Sequence, residues 1–104
     1  MRVEIHPGAL DDIWNGYLFY EEIQEGLGVD FYSTLMSEIQ KRLPKVYAIK
    51  PLVHGRLRWM LSERFPWAVY YSFDQRSIVV HAILDCRRDP GKLRDRLEAI
   101  ESAD

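Results

Sequence analysis

Phe65-Pro66-Trp67-Ala68-Val69-Tyr70-Tyr71, followed sixteen residues later by Arg87-Arg88-Asp89-Pro90, decides the fold of this chain. In the first stretch Trp67, Val69, Tyr71 and Phe73 alternate with Ala68, Tyr70 and Ser72, the period of two that a strand requires. Asp74-Gln75-Arg76-Ser77 supplies a turn. Ile78 to Leu84 is then an almost unbroken apolar run, as for a strand inside a sheet. Working upstream, Leu57, Trp59 and Leu61 alternate with Arg56, Arg58 and Met60, which predicts a third strand. Consecutive strands with short links form an antiparallel meander. Asp89-Pro90 begins a helix, with Asp as its cap and Pro at its first position, and Leu93, Leu97 and Ile100 give that helix one apolar face.

The first half of the chain reads differently. Arg2 to His6 alternates as a short strand and ends at Pro7-Gly8. A helix opens at Ala9, with Leu10, Ile13, Trp14, Tyr17, Tyr20 and Ile23 or Gln24 at helical steps along one apolar face. Gly26 suits the positive φ of a helix end. A second helix follows, with Leu27, Phe31, Leu35, Ile39 and Leu43 spaced by four, Tyr32 and Met36 widening the stripe, and Pro44 stopping it. Lys45 to Gly55 shows no period. The expected fold is α+β: an N-terminal helical hairpin packed on a mostly antiparallel sheet, with a C-terminal helix and all helices on one face. Residues 1–104 form a single domain.

Composition narrows the function classes. The 47% hydrophobic content supports a packed core. One cysteine, Cys86, rules out an internal disulfide and a cysteine-based metal site. The charged, alternating start predicts no signal peptide, and the apolar runs are too short for a bilayer, so a cytoplasmic protein with no membrane partner is expected. The net charge of −2 is unevenly spread. Residues 1–55 carry 5 Lys/Arg against 8 Asp/Glu, and residues 56–96 carry 9 against 5. A basic segment inside an acidic whole suits an acidic protein segment or a phosphate backbone.

No cofactor-binding or zinc-binding spacing is present, so no cofactor and no metal are expected. His81 lies in the apolar strand. It reads as a half-buried histidine satisfied by one hydrogen bond, or as a general acid. Cys86 beside Arg87 and Arg88 reads as a small buried residue at a strand end. Arg58, Arg64, Arg87 and Arg88 are the candidate partner-binding cations, since guanidinium binds carboxylate or phosphate bidentately. The alternative is that they blunt strand edges or pair with Asp85 and Asp89. Tyr70 points opposite to Trp67 and Tyr71, either under helices or on an open, aromatic sheet face.

In layout the chain resembles the RelE/ParE toxins of bacterial toxin–antitoxin pairs. The resemblance rests on Tyr20-Glu21-Glu22, Gly26-Leu27-Gly28-Val29-Asp30-Phe31, Arg64 to Tyr71 and Arg87-Arg88-Asp89-Pro90. Its details are similar to the ParE branch, the plasmid stabilisation proteins, with Trp67 where the family has tyrosine and Asp85 where many members have histidine. That branch implies a toxin that acts by binding DNA gyrase and is neutralised by a cognate antitoxin, with no catalytic residue. The RelE branch implies a messenger-RNA endoribonuclease acting on the ribosome. Its catalytic set here would be His81, Arg64 and Arg87. A non-toxic interaction module with the same fold is the third reading. Both toxin branches imply an antitoxin whose disordered segment folds across the domain, and the basic segment 56–96 suits an acidic one.

Overall fold

The computed structural model describes residues 1–103; Asp104, the last acid of the tail, lies outside the described residues. The chain runs β1 (Arg2–Ile5), α1 (Pro7–Ile23), α2 (Leu27–Ser37), a π-helical turn (Glu38–Arg42), α3 (Leu43–Val46), β2 (Leu52–His54), β3 (Leu57–Leu61), β4 (Trp67–Phe73), β5 (Ser77–Asp85) and α4 (Pro90–Ser102). The five strands lie in the order β1-β5-β4-β3-β2. Only β1 pairs in parallel, against β5; the other pairings are antiparallel. The meander read from the sequence is therefore present. An additional edge strand, β2, lies in the segment that showed no period.

The helical hairpin forms much as its spacing requires. Gly26 takes a φ of 89°, which lets α2 follow α1 directly. Glu21 clamps the corner by accepting hydrogen bonds from the backbone N–H of Gly26 and Gly28, each at 2.9 Å. Phe31, Leu35, Ile39 and Leu43 are all fully buried. A strict four-residue spacing overruns the 3.6-residue turn of an α-helix. The π-helical turn, in which Leu43 N–H reaches back to Glu38 O, corrects this drift and returns Leu43 to the core. Pro44 does not stop the helix: it follows the π-helical turn near the start of α3, and the chain stays helical through it.

α1 corrects the expected face. It begins at Pro7, capped by His6, whose Nδ1 accepts from Gly8 N–H. Its buried residues are Ala9, Asp12, Ile13, Gly16 and Tyr20, whereas Leu10, Trp14 and Ile23 are exposed. Gly16 is needed where α1 meets α2 and the sheet: a Cβ there would lie 2.5 Å from the Phe31 ring and 3.0 Å from Trp67.

The helices do not share one face of the sheet, as the sequence suggests. The hairpin covers the face built from Met60, Trp67, Val69, Tyr71, Ile78, Val80 and Ile83. α4 covers the opposite face, packing Leu97, Leu93 and Ile100 against Leu57, Ala68, Tyr70 and Ala82. A bulge in β5 makes both faces apolar. Tyr71 pairs with Val80 and Tyr70 with Ala82, so His81 is the extra residue. Before His81 the even residues face the hairpin; after it Ile83 does, and Ala82 turns to α4.

Candidate functional site

The sheet ends in the aromatic group that Phe65-Pro66-Trp67 creates. Trp67 Nε1 donates to Tyr20 Oη at 3.0 Å, and Phe31 packs with ring centroids 5.2 Å from Phe65 and 4.9 Å from Trp67. This group fixes the start of β4, and with it the end of β5 and the turn to α4. Cys86 N–H donates to Pro66 O at 2.9 Å, which locks that turn in place. Asp89 then caps α4 by accepting from Gly91 N–H at 2.8 Å.

Beyond Ile5, β1 no longer covers the edge of β5. Asp12 of α1 takes over there. Its Oδ2 accepts from Ile83 N–H at 3.0 Å, and its carboxylate holds Arg96 of α4 at 2.9 and 2.8 Å. One side chain thus satisfies a strand edge and links the two helical layers across it. Above this junction lies a groove of about 290 Å³, walled by α1, the end of β5 and α4. Trp67, Leu84 and Leu93 give it apolar surface, and Arg88 and Lys92 stand at its rim. Its two acids are engaged, Asp12 by Arg96 and Asp85 by Arg87. Arg88 and Lys92 make no ion pair among the described residues. An apolar floor under uncompensated cations fits a carboxylate-bearing segment.

The arginines singled out in the sequence do not converge. Arg64 pairs bidentately with Asp30 of α2 and stacks over Phe65. Arg87 holds Asp85 with Nε at 3.1 Å and Nη2 at 3.0 Å. Burial raises the Asp85 carboxyl, but the Arg87 side-chain and backbone hydrogen bonds outweigh it and hold Asp85 below its ordinary value. Arg58 donates to Lys50 O at 2.6 Å and lies 5.4 Å from the centre of the Phe73 ring. Only Arg88 borders the groove. Tyr70 is buried under α4 at 1% exposure, and its hydroxyl has no hydrogen-bond partner among the described residues. Burial first, and then Cys86, pushes its pKa up to about 12.

His81 is half-buried, and its Nε2 lies 2.8 Å from Ser72 Oγ. The bulge aims it into a second cleft, of about 400 Å³, shared with Ser72, Arg56 and Asp74. Neither Arg64 nor Arg87 lines that cleft, so the three residues of the ribonuclease reading are not brought together. Cys86 is half-buried, and its thiol is pushed up by burial and by Asp85, so the adjacent arginines do not activate it. Among the described residues no three His, Cys, Asp or Glu gather as metal ligands, and no helix is long and apolar enough to cross a membrane. Sequence reasoning missed Asp12, Lys92 and Arg96. The pattern of α1 gave one usable sign of Asp12, an acid four residues before the buried Gly16, on the face that enters the core.

These features define an α+β domain with a helical hairpin on one sheet face and a single helix on the other. The same architecture occurs in a chain of the chromosomal ParDE TA system from P. aeruginosa, to which this chain is 17% identical at a TM-score of 0.71, over 80% of this chain and 92% of that one. That likeness confirms the fold that the RelE/ParE resemblance implies. No protein-family profile matches the chain, and no curated protein matches it by sequence.

Proposed function

We propose that this chain is the toxin of a type II toxin–antitoxin pair, an inhibitor that acts by binding its target and is neutralised by a cognate antitoxin. The observation that carries the proposal is the groove between α1, β5 and α4, with Arg88 and Lys92 above Trp67, Leu84 and Leu93. It suits an acidic, partly apolar segment of an antitoxin that orders on binding. The ParDE system to which the structural relative belongs and the ParE-like sequence details support the same class. DNA gyrase is the target that the resemblance favours, and the protein works in the cytoplasm. Nothing in this reading requires a catalytic residue.

The test is pulse labelling in a bacterium after induced expression without antitoxin. Thymidine and methionine incorporation are followed side by side. Early loss of thymidine incorporation, with protein synthesis continuing, is the expected result. Early loss of methionine incorporation would replace it with ribonuclease action on the ribosome, and His81→Ala would then abolish toxicity. Continued growth with both labels unaffected would leave a non-toxic interaction module.

A further inference from the structure

The outer side of α1 carries a second surface that the antitoxin reading does not use. Leu10, Trp14 and Leu18 recur at four-residue steps and are 44%, 56% and 47% exposed. The Tyr17 ring stacks on Trp14 at 5.2 Å and 10°, which stiffens the large side chain at the centre of the stripe. An apolar ridge of about two turns with a fixed tryptophan is the kind of anchor that helix-on-helix recognition uses.

The charge around the ridge is one-sided. From Val3 to Gln40 the chain contains no lysine and no arginine. Its acids there divide into two sets. Glu4, Asp12, Asp30 and Glu38 pair with arginines, and Glu21 caps the hairpin corner. Asp11, Glu22 and Glu25 have no partner among the described residues. At 100° per residue, Asp11 and Glu22 project along the flank of the ridge, next to Leu18.

We propose that this face of α1 docks an amphipathic helix of a partner protein, one that carries lysine or arginine beside its apolar stripe. The apolar ridge supplies contact area. Asp11 and Glu22 select the sign of the partner and its orientation. This partner is opposite in charge to the acidic segment suited to the groove at Arg88 and Lys92, so the two surfaces do not compete for one ligand. The inference does not depend on toxicity.

The test uses two synthetic helical peptides of identical apolar pattern, with leucine at four- and three-residue steps. One is flanked by lysine, the other by glutamate. Binding to the full chain is followed by anisotropy of a dye on the peptide. The lysine peptide is expected to bind at least about tenfold more tightly, a difference worth 1.4 kcal/mol. Trp14→Ala removes binding at least tenfold while circular dichroism stays unchanged, because the side chain is exposed. The double variant Asp11→Lys, Glu22→Lys reverses the preference to the glutamate peptide. Equal binding of both peptides, binding indifferent to Trp14→Ala, or a preference that survives the charge reversal would each overturn the proposal.

Discussion

The two faces of the sheet are closed by different means. Under the hairpin, large rings interlock and their polar ends are satisfied: Trp67 donates to Tyr20, and Tyr71 Oη donates to Tyr47 O at 2.7 Å. Under α4 the filling is smaller, Leu57, Ala68, Ala82 and Leu97, and its fully buried ring, Tyr70, keeps a hydroxyl with no partner among the described residues. Adjacent tyrosines of one strand thus report on opposite layers. The hairpin layer contains most of the large buried side chains. The α4 layer is thinner, and it is bordered by the groove and by the cleft at His81.

The sharpest way to break this contrast is to empty each layer in turn. Phe31→Ala removes a ring at 0% exposure and should cost about 3–5 kcal/mol in chemical denaturation. Leu97→Ala should cost about 2 kcal/mol, the lower end for a buried leucine. Equal losses would mean that the layers contribute equally.

The tyrosines test the same contrast at high pH. Burial pushes both Tyr70 and Tyr71 up to about 12 from 10.0, so the folded state holds protons that the unfolded chain releases. Their contribution is complete below pH 10 and is lost as pH rises through about 12, roughly 2–3 kcal/mol for each. Alkaline denaturation curves of Tyr70→Phe and Tyr71→Phe should each lose about half of this steepening. If Tyr70→Phe leaves the curve unchanged, its face is open to water.

Cutting the link between layers comes next. Asp12→Ala strands the Ile83 N–H and the Arg96 guanidinium, at about 2 kcal/mol. Hydrogen exchange should speed up at Ile83 more than at Val69, which lies within the same layer. Uniform acceleration would show that Asp12 holds the whole domain rather than this junction.

The smallest effect is the most pointed. At neutral pH, Tyr71→Phe leaves Tyr47 O without its donor and should cost about 1 kcal/mol, whereas Tyr70→Phe removes an unpaired hydroxyl and should be neutral or mildly stabilising. Thermal melts of the two variants should move in different directions or by clearly different amounts. A similar loss in both would show that Tyr70 has a partner.

The parts legible in the sequence were those whose signal is local. Phe31, Leu35, Ile39 and Leu43 announce a buried helix face, and Trp67, Val69 and Tyr71 announce a strand. α1 misleads because it carries apolar residues on two sides. A spacing count merges Ile13 and Tyr20, which are buried, with Leu10 and Trp14, which are not. β2 has three residues and owes its conformation to β3, so it leaves no period of its own. The face taken by α4 follows from the hairpin's already covering the other side of β4 and β5, which no pattern inside α4 encodes. The site was the least legible part. Arginine partners are set by distant contacts, as with Arg64 and Asp30 or Arg96 and Asp12, so four candidate cations reduced to one at the groove.

The bulge at His81 has the effect of a frame shift within a strand. Ile78 and Val80 are read in one phase, Ala82 and Ile83 in the other, and the run looks uniformly apolar because two half-strands of opposite phase are joined there. Deleting that single residue would restore one phase throughout. Ala82 would then follow Val80 directly and stay under α4, and Ile83 would stay in the aromatic layer, whereas flattening the bulge with His81 kept would exchange the two.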